Sequence, residues 1–272
     1  EDLARLGEHH PERARELDPR SLAAVTALRE LAASNEQWWE ALELGRRELK
    51  LEEDADRRVA LQVELGAILY EHLDEVQQAR GLLAEGLELE KNNTRALSLL
   101  GRICFELQDW EAVADLLGRL VDQVRDQDDL HEHLFRLAFA LEQLDREEEA
   151  FRLYIRSFTR EPMYLPTLER MVVLCFAHRQ WDNTLRIAET ILESYPGTKT
   201  AEERADLNLR LGLCELYLGQ RDAGTEYLQQ LAPDSGEVPV TAPTASAARA
   251  DSCASNPRDP LLAPTIHPAA PH

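Results

Sequence analysis

Two prolines, Pro162 and Pro196, stand 34 residues apart, and each closes a similar pair of amphipathic segments. Ahead of Pro162, Leu134, Leu137, Ala138 and Leu141 recur at i, i+3, i+4 and i+7, the spacing of one helical face, and Ala150, Leu153 and Tyr154 begin a second stripe. Ahead of Pro196 the arrangement returns with Leu168, Met171, Val172 and Cys175, then Ile187, Ala188 and Ile191. This period constrains the chain more than any other feature, because one helix pair cannot bury its own apolar face and must stack on neighbours. Read outward from these pairs, first helices are expected to start near Leu22, Val59, Thr94, His131, Leu165 and Ala205.

In this period and these paired stripes the chain resembles the tetratricopeptide-repeat (TPR) family. That family matches a small residue of the first helix with an alanine twelve positions later, where the helices cross closely. The corresponding pairs are Arg29 with Ala41, Gly101 with Val113, Ala138 with Ala150, Val172 with Thr184 and Gly212 with Gly224. Gly66 and Ala79 are thirteen apart, so that turn holds one more residue. The family's aromatic at the inter-helix turn is Trp38, Trp110 and Trp181, and its closing proline Pro19, Pro162 and Pro196. Arg29 is large where the pattern is small, and Asn208 and Glu215 interrupt the last first-helix stripe. The resemblance implies an all-α fold, a right-handed TPR-type superhelical solenoid of about six helix-turn-helix repeats with a concave groove. It covers residues 22–231, and residues 1–21 read as the remnant of a preceding repeat. Residues 232–272 hold eight of the thirteen prolines among Ser, Thr and Ala, and are expected to be a disordered tail or linker.

Composition points the same way. Ala, Leu, Glu and Arg are abundant and favour helix, while twelve glycines and few aromatics argue against a β-rich fold. Thirty Lys and Arg against 51 Asp and Glu give a net charge of -21, which repels phosphate backbones and anionic membrane surfaces, so nucleic acid is not an expected partner. No window approaches the length of a membrane-spanning apolar run, and no signal peptide is visible at the start, so a cytoplasmic setting is expected. Cys104, Cys175 and Cys214 lie tens of residues apart among apolar neighbours, and Cys253 lies in a polar stretch. That spacing fits neither a zinc site nor a disulfide scaffold, and reads as buried free thiols in a reducing compartment.

Catalytic motifs are missing from the sequence: there is no GxSxG, HExxH, GxGxxG or Walker loop. His131 and His133 fall on different faces of a helix, the His9-His10-Pro11 cluster reads as surface, and Glu147, Glu148 and Glu149 as a solvated turn. Hence no enzyme, metal or cofactor is expected. The recurring tryptophans read as packing, with Trp39 as the candidate exposed aromatic. One constellation remains. Arg136, Arg170 and Arg210 each precede the small site of their helix by two residues, a position that in the resembled family faces the groove; Arg95 and Arg102 fall on groove positions by the same resemblance. Phe139 interleaves with them, as do Phe105, Phe135, Phe176 and Tyr217. Guanidinium forks match carboxylates bidentately, so such a stripe would select an acidic or carboxylate-bearing peptide or helix of a protein partner. The competing reading pairs these arginines with Glu132, Glu142 and Glu169 in a solvated groove without a dedicated ligand. The implied function is a protein–protein interaction scaffold; the alternatives are a recruitment or regulatory segment of a larger enzyme or signalling protein, and a structural component of a bacterial envelope or secretion assembly.

Overall fold

The structure, a computed structural model, describes residues 21–124 and 128–229. The expected remnant, apart from Ser21, and the expected tail at 232–272 lie outside these residues, as does Cys253. Among the described residues there are twelve α-helices and no strand. They form pairs: α1 (Leu22–Ser34) with α2 (Trp38–Leu51), α3 (Ala55–Glu71) with α4 (Val76–Leu89), and α5 (Thr94–Glu106) with α6 (Trp110–Gln123). The remaining pairs are α7 (Leu130–Gln143) with α8 (Glu147–Arg160), α9 (Leu165–Ala177) with α10 (Trp181–Ser194), and α11 (Ala201–Tyr217) with α12 (Arg221–Gln229). Two first helices start four residues earlier than the apolar stripe suggests, α3 at Ala55 rather than Val59 and α11 at Ala201 rather than Ala205. Polar caps set those starts: the Asp54 side chain accepts the Arg57 N–H, and Thr200 forms a reciprocal capping box with Glu203.

Each turn inside a pair contains one residue with positive φ: Glu36, Asp74, Gln108, Asp145, Arg179 and Gly219. In the α5–α6 turn the Gln108 N–H reaches Phe105 O and the Asp109 N–H reaches Cys104 O. This is a Schellman closure, in which a left-handed residue lets the last carbonyls of the first helix find donors. The same two bonds recur around Glu36, Asp145, Arg179 and Gly219. The α3–α4 turn is wider, with the Glu75 N–H reaching Leu69 O, which accommodates the extra residue between Gly66 and Ala79.

Small residues then let the helices close. A Cβ on Gly101 would lie 2.3 Å from a Leu117 methyl, and one on Gly66 2.6 Å from Leu83 Cγ, so the leucine of the second helix rests on bare backbone of the first. Ala41, Ala79, Val113 and Ala138 are fully buried at these crossings. Gly45 does the same between pairs, where an added Cβ would meet Leu65 at 2.4 Å. At Gly212 and Gly224 each Cβ would meet the other's carbonyl oxygen at about 3 Å.

The described helices fall into two compact units, divided between Thr167 and Leu168. Within the first, each second helix packs on its own partner, α2, α4 and α6 also pack on the next first helix, and α3, α5 and α7 lie side by side. Within the second, α10 packs on α11 and α11 on α12. No helix among the described residues is long and apolar enough to cross a membrane.

Candidate functional site

Among the first helices of unit 1, α5 carries Arg95 and Arg102, and α7 carries Arg136 and Phe139. Arg95 sits in the first turn of α5 and is exposed. Arg102, two turns on, lies 3.2 Å from the Glu71 carboxylate of α3 and holds its guanidinium 5.2 Å from the Tyr70 ring centroid. Tyr70 donates its hydroxyl to Glu106, and burial together with that bond pushes its pKa up to about 12. Arg136 donates from Nη2 to Glu132 at 2.9 Å, one turn earlier on α7, while its Nη1 is closed to solvent and has no hydrogen-bond partner. Of the three acids set against these arginines in the competing reading, Glu132 meets Arg136. Glu142 accepts the Tyr154 hydroxyl at 2.9 Å and Glu169 pairs with Lys199.

Phe139 joins these charges to an aromatic cluster. Its ring lies 5.6 Å from both Phe105 and Trp110 in edge-to-face geometry, and Phe135 continues the contact to Tyr154 and Tyr164. Trp110 is therefore packed, and the other turn tryptophans likewise: Trp38 stacks on His72 at 3.7 Å, and Trp181 on Tyr217 at 4.5 Å. Trp39 points away and is 56% exposed.

Beneath this face His133 is buried, with Nε2 at 3.2 Å from Asp129 Oδ2 and 3.1 Å from Ser98 Oγ. Burial lowers its pKa, with Arg136 adding to the effect and Asp129 opposing it. His131 instead meets the Tyr164 ring and the Asp128 carbonyl, so the two histidines do diverge. Among the described residues no group of three or more His, Cys, Asp or Glu could hold a metal.

Arg170 and Arg210 belong to unit 2. Arg210 is held by Asp206, with Nε 2.8 Å from Oδ2, and lies 5.4 Å from the Phe176 ring centroid; Arg170 is half-buried on α9. Cys104, Cys175 and Cys214 are buried free thiols, and burial raises the pKa of Cys175 to about 12 and that of Cys214 to about 11. Such thiols are inert as nucleophiles near neutral pH.

The largest feature not anticipated from sequence surrounds Arg29. Both it and Glu48 are buried; Arg29 Nε donates to Glu48 Oε2 at 2.6 Å, Nη1 donates to Glu64, and the Thr26 hydroxyl donates to the second Glu48 oxygen at 2.6 Å. Burial alone would lower the guanidinium pKa, but the bond to Glu48 and the charges of Glu64 and Glu48 outweigh it, and the pKa is raised. This cluster lines a cavity of about 810 Å³ between α1 and α3. The signal available in sequence was Glu48 itself, in register with Ala41 and Gly45 on the apolar stripe of α2 and so marking a buried carboxylate that needs a cation.

No family model and no curated protein matches the chain. Solved structures do. A TPR protein from Parabacteroides merdae aligns over 77% of this chain and 78% of its own length, with a TM-score of 0.55 and 14% identity. YrrB, described as a TPR protein with an unusual peptide-binding site, aligns over 63% and 83% with a TM-score of 0.52 and 16% identity. Pseudomonas aeruginosa PilF aligns over 81% and 91% with a TM-score of 0.51 and 16% identity. These likenesses, joined to helix pairs closed at small residues and capped by one repeated turn, show that the chain has the all-α tetratricopeptide-repeat fold.

Proposed function

We propose that the chain is a non-enzymatic interaction module that takes a peptide or helix of a protein partner on the first-helix face of unit 1. The observation that carries this reading is Arg136: one side of its guanidinium is tied to Glu132, while Nη1 is left without a bond, and α5 and α7 carry the contacting rings of Phe105, Phe135 and Phe139. A buried donor without a partner costs about 1–3 kcal/mol, which an incoming acceptor recovers. A carboxylate that displaced Glu132 would engage both guanidinium nitrogens, Arg102 and exposed Arg95 lie on the neighbouring helix, and the rings offer apolar area. The peptide-binding site named for YrrB is consistent with this use of the fold. A net charge of -21 disfavours nucleic acid as the partner, and the three buried, unpaired thiols are compatible with a cytoplasmic setting.

The test is a titration of a fluorescein-labelled peptide alternating glutamate and leucine into the full chain. Arg102→Ala with Arg136→Ala is expected to weaken binding at least tenfold while the helical circular-dichroism signal stays. Affinity unchanged in that double variant, or absent from the parent protein, overturns the reading.

A further inference from the structure

The cavity between α1 and α3 carries the opposite charge to the arginine stripe. Its buried part is the Arg29–Glu48 pair, and at its opening stand Glu64, paired with Arg29, and Glu30, whose carboxylate lies 3.7 Å from the Arg29 guanidinium. Glu52, also lining it, is occupied by the backbone N–H groups of Glu53 and Asp54 and lies 4.0 Å from Arg57. Four carboxylates thus face two guanidiniums, and the single buried arginine is shared by three of the acids. The excess is borne by Glu30 and Glu64, with side chains 67% and 38% exposed, so it stands at the opening rather than in the floor. Between these charges the walls are apolar, formed by Leu22, Ala27, Leu31 and Leu61.

We infer that this cavity binds a lysine or arginine side chain of a foreign peptide, with the neighbouring apolar residue of that peptide laid against the α1 wall. A cationic head is drawn to the unneutralised carboxylates, and its aliphatic stem matches walls of this kind. The chain's own segments carry the wrong sign. Residues 1–20 hold six carboxylates against four arginines, residues 230–272 hold four against two, and a second copy brings a net charge of -21. The inference shares with the proposed function only that the protein binds peptides; its residues, and the sign of its ligand, are different.

The probe is a fluorescein-labelled twelve-residue peptide alternating lysine and leucine, titrated into the full chain by fluorescence anisotropy. Glu30→Lys alters an exposed side chain and is expected to weaken binding about tenfold. Glu111→Lys, the same charge change on exposed α6, is expected to leave it within twofold. Equal losses from Glu30→Lys and Glu111→Lys would make the attraction non-specific and overturn the inference. So would equal affinity for the glutamine counterpart of the probe, or binding seen only after residues 1–20 are removed, which would assign the cavity to the chain's own N-terminus. Failure of the acidic probe at Arg102 and Arg136 leaves this result untouched, so the two readings fall separately.

Discussion

At the residue scale, two glycines on neighbouring helices separate packing from propensity. A Cβ on Gly101 would lie 2.3 Å from Leu117, whereas one on Gly118 meets nothing within 4 Å. Gly101→Ala is therefore expected to destabilise by about 1–3 kcal/mol, because Leu117 is held by the rest of the crossing. Gly118→Ala should stabilise by about 0.5–1 kcal/mol through lost unfolded-chain freedom. Urea unfolding of the two variants checks both signs. The Arg29 cluster gives a second contrast: Arg29→Ala strands Glu48 in the interior and is expected to cost about 3–5 kcal/mol, while Arg29→Met joined to Glu48→Leu should recover most of that loss. If the double replacement is no better than the single one, the pair does not act as a unit. His133 gives a pH dependence. Its pKa in the folded chain is depressed below the ordinary 6.5, mainly by burial, with Asp129, Glu132 and Arg136 around it and the Ser98 hydroxyl opposite. The unfolded chain binds the proton more readily, so stability is intact above the unfolded value and falls as pH drops toward the folded one. The midpoint of thermal unfolding should decrease between about pH 7.5 and 5.5, and His133→Gln should flatten that part of the curve.

At the element scale, the helices are written in apolar periodicity, and the residues of the stripes are the ones found inside: Leu134, Leu137, Ala138 and Leu141 are all buried, as are Ile187, Ala188 and Ile191. Caps are less legible. Asp54 and Thr200 start helices a turn before the apolar stripe becomes visible, because hydrogen-bond satisfaction at a terminus depends on the polar residue outside the stripe. The turns are less legible still. Five of the six left-handed positions are occupied by Glu36, Asp74, Gln108, Asp145 and Arg179, of which the two aspartates are of a type enriched there and the other three are not; only Gly219 is a glycine. Closure of the helix crossing imposes that backbone on whatever residue stands there. Gln108→Gly should accordingly raise stability by about 1 kcal/mol, the left-handed cost being relieved at a position exposed to solvent. A fall in the denaturation midpoint would mean the side chain contributes more than the backbone loses.

At the scale of the molecule, charge and stacking act on each other. With a net charge of -21, self-repulsion opposes compaction, and the ion pairs on the surface, such as Arg46 with Glu43 or Arg152 with Glu148, are exposed and weak. Raising ionic strength from about 0.01 to 0.15 M shortens the screening length from about 30 to about 8 Å and should raise the unfolding temperature. A decrease would indicate that attractive pairs outweigh the repulsion. The sequence by itself determined the period, the helix pairs and the small residues at their crossings, since each follows from local spacing and the volume of one side chain. It also determined which positions repeat, and so where Arg95, Arg102 and Arg136 stand. Tertiary structure decided what Arg102 and Arg29 meet. Glu71 comes to Arg102 from 31 positions away and Glu64 to Arg29 from 35, whereas Glu132 comes to Arg136 from one turn earlier. It alone placed an acidic cavity at one end of a face whose other end is rich in arginine. Charge is summed along a chain without regard to distance, but its effect falls with distance in space, and only the stacking of the helices sets that distance.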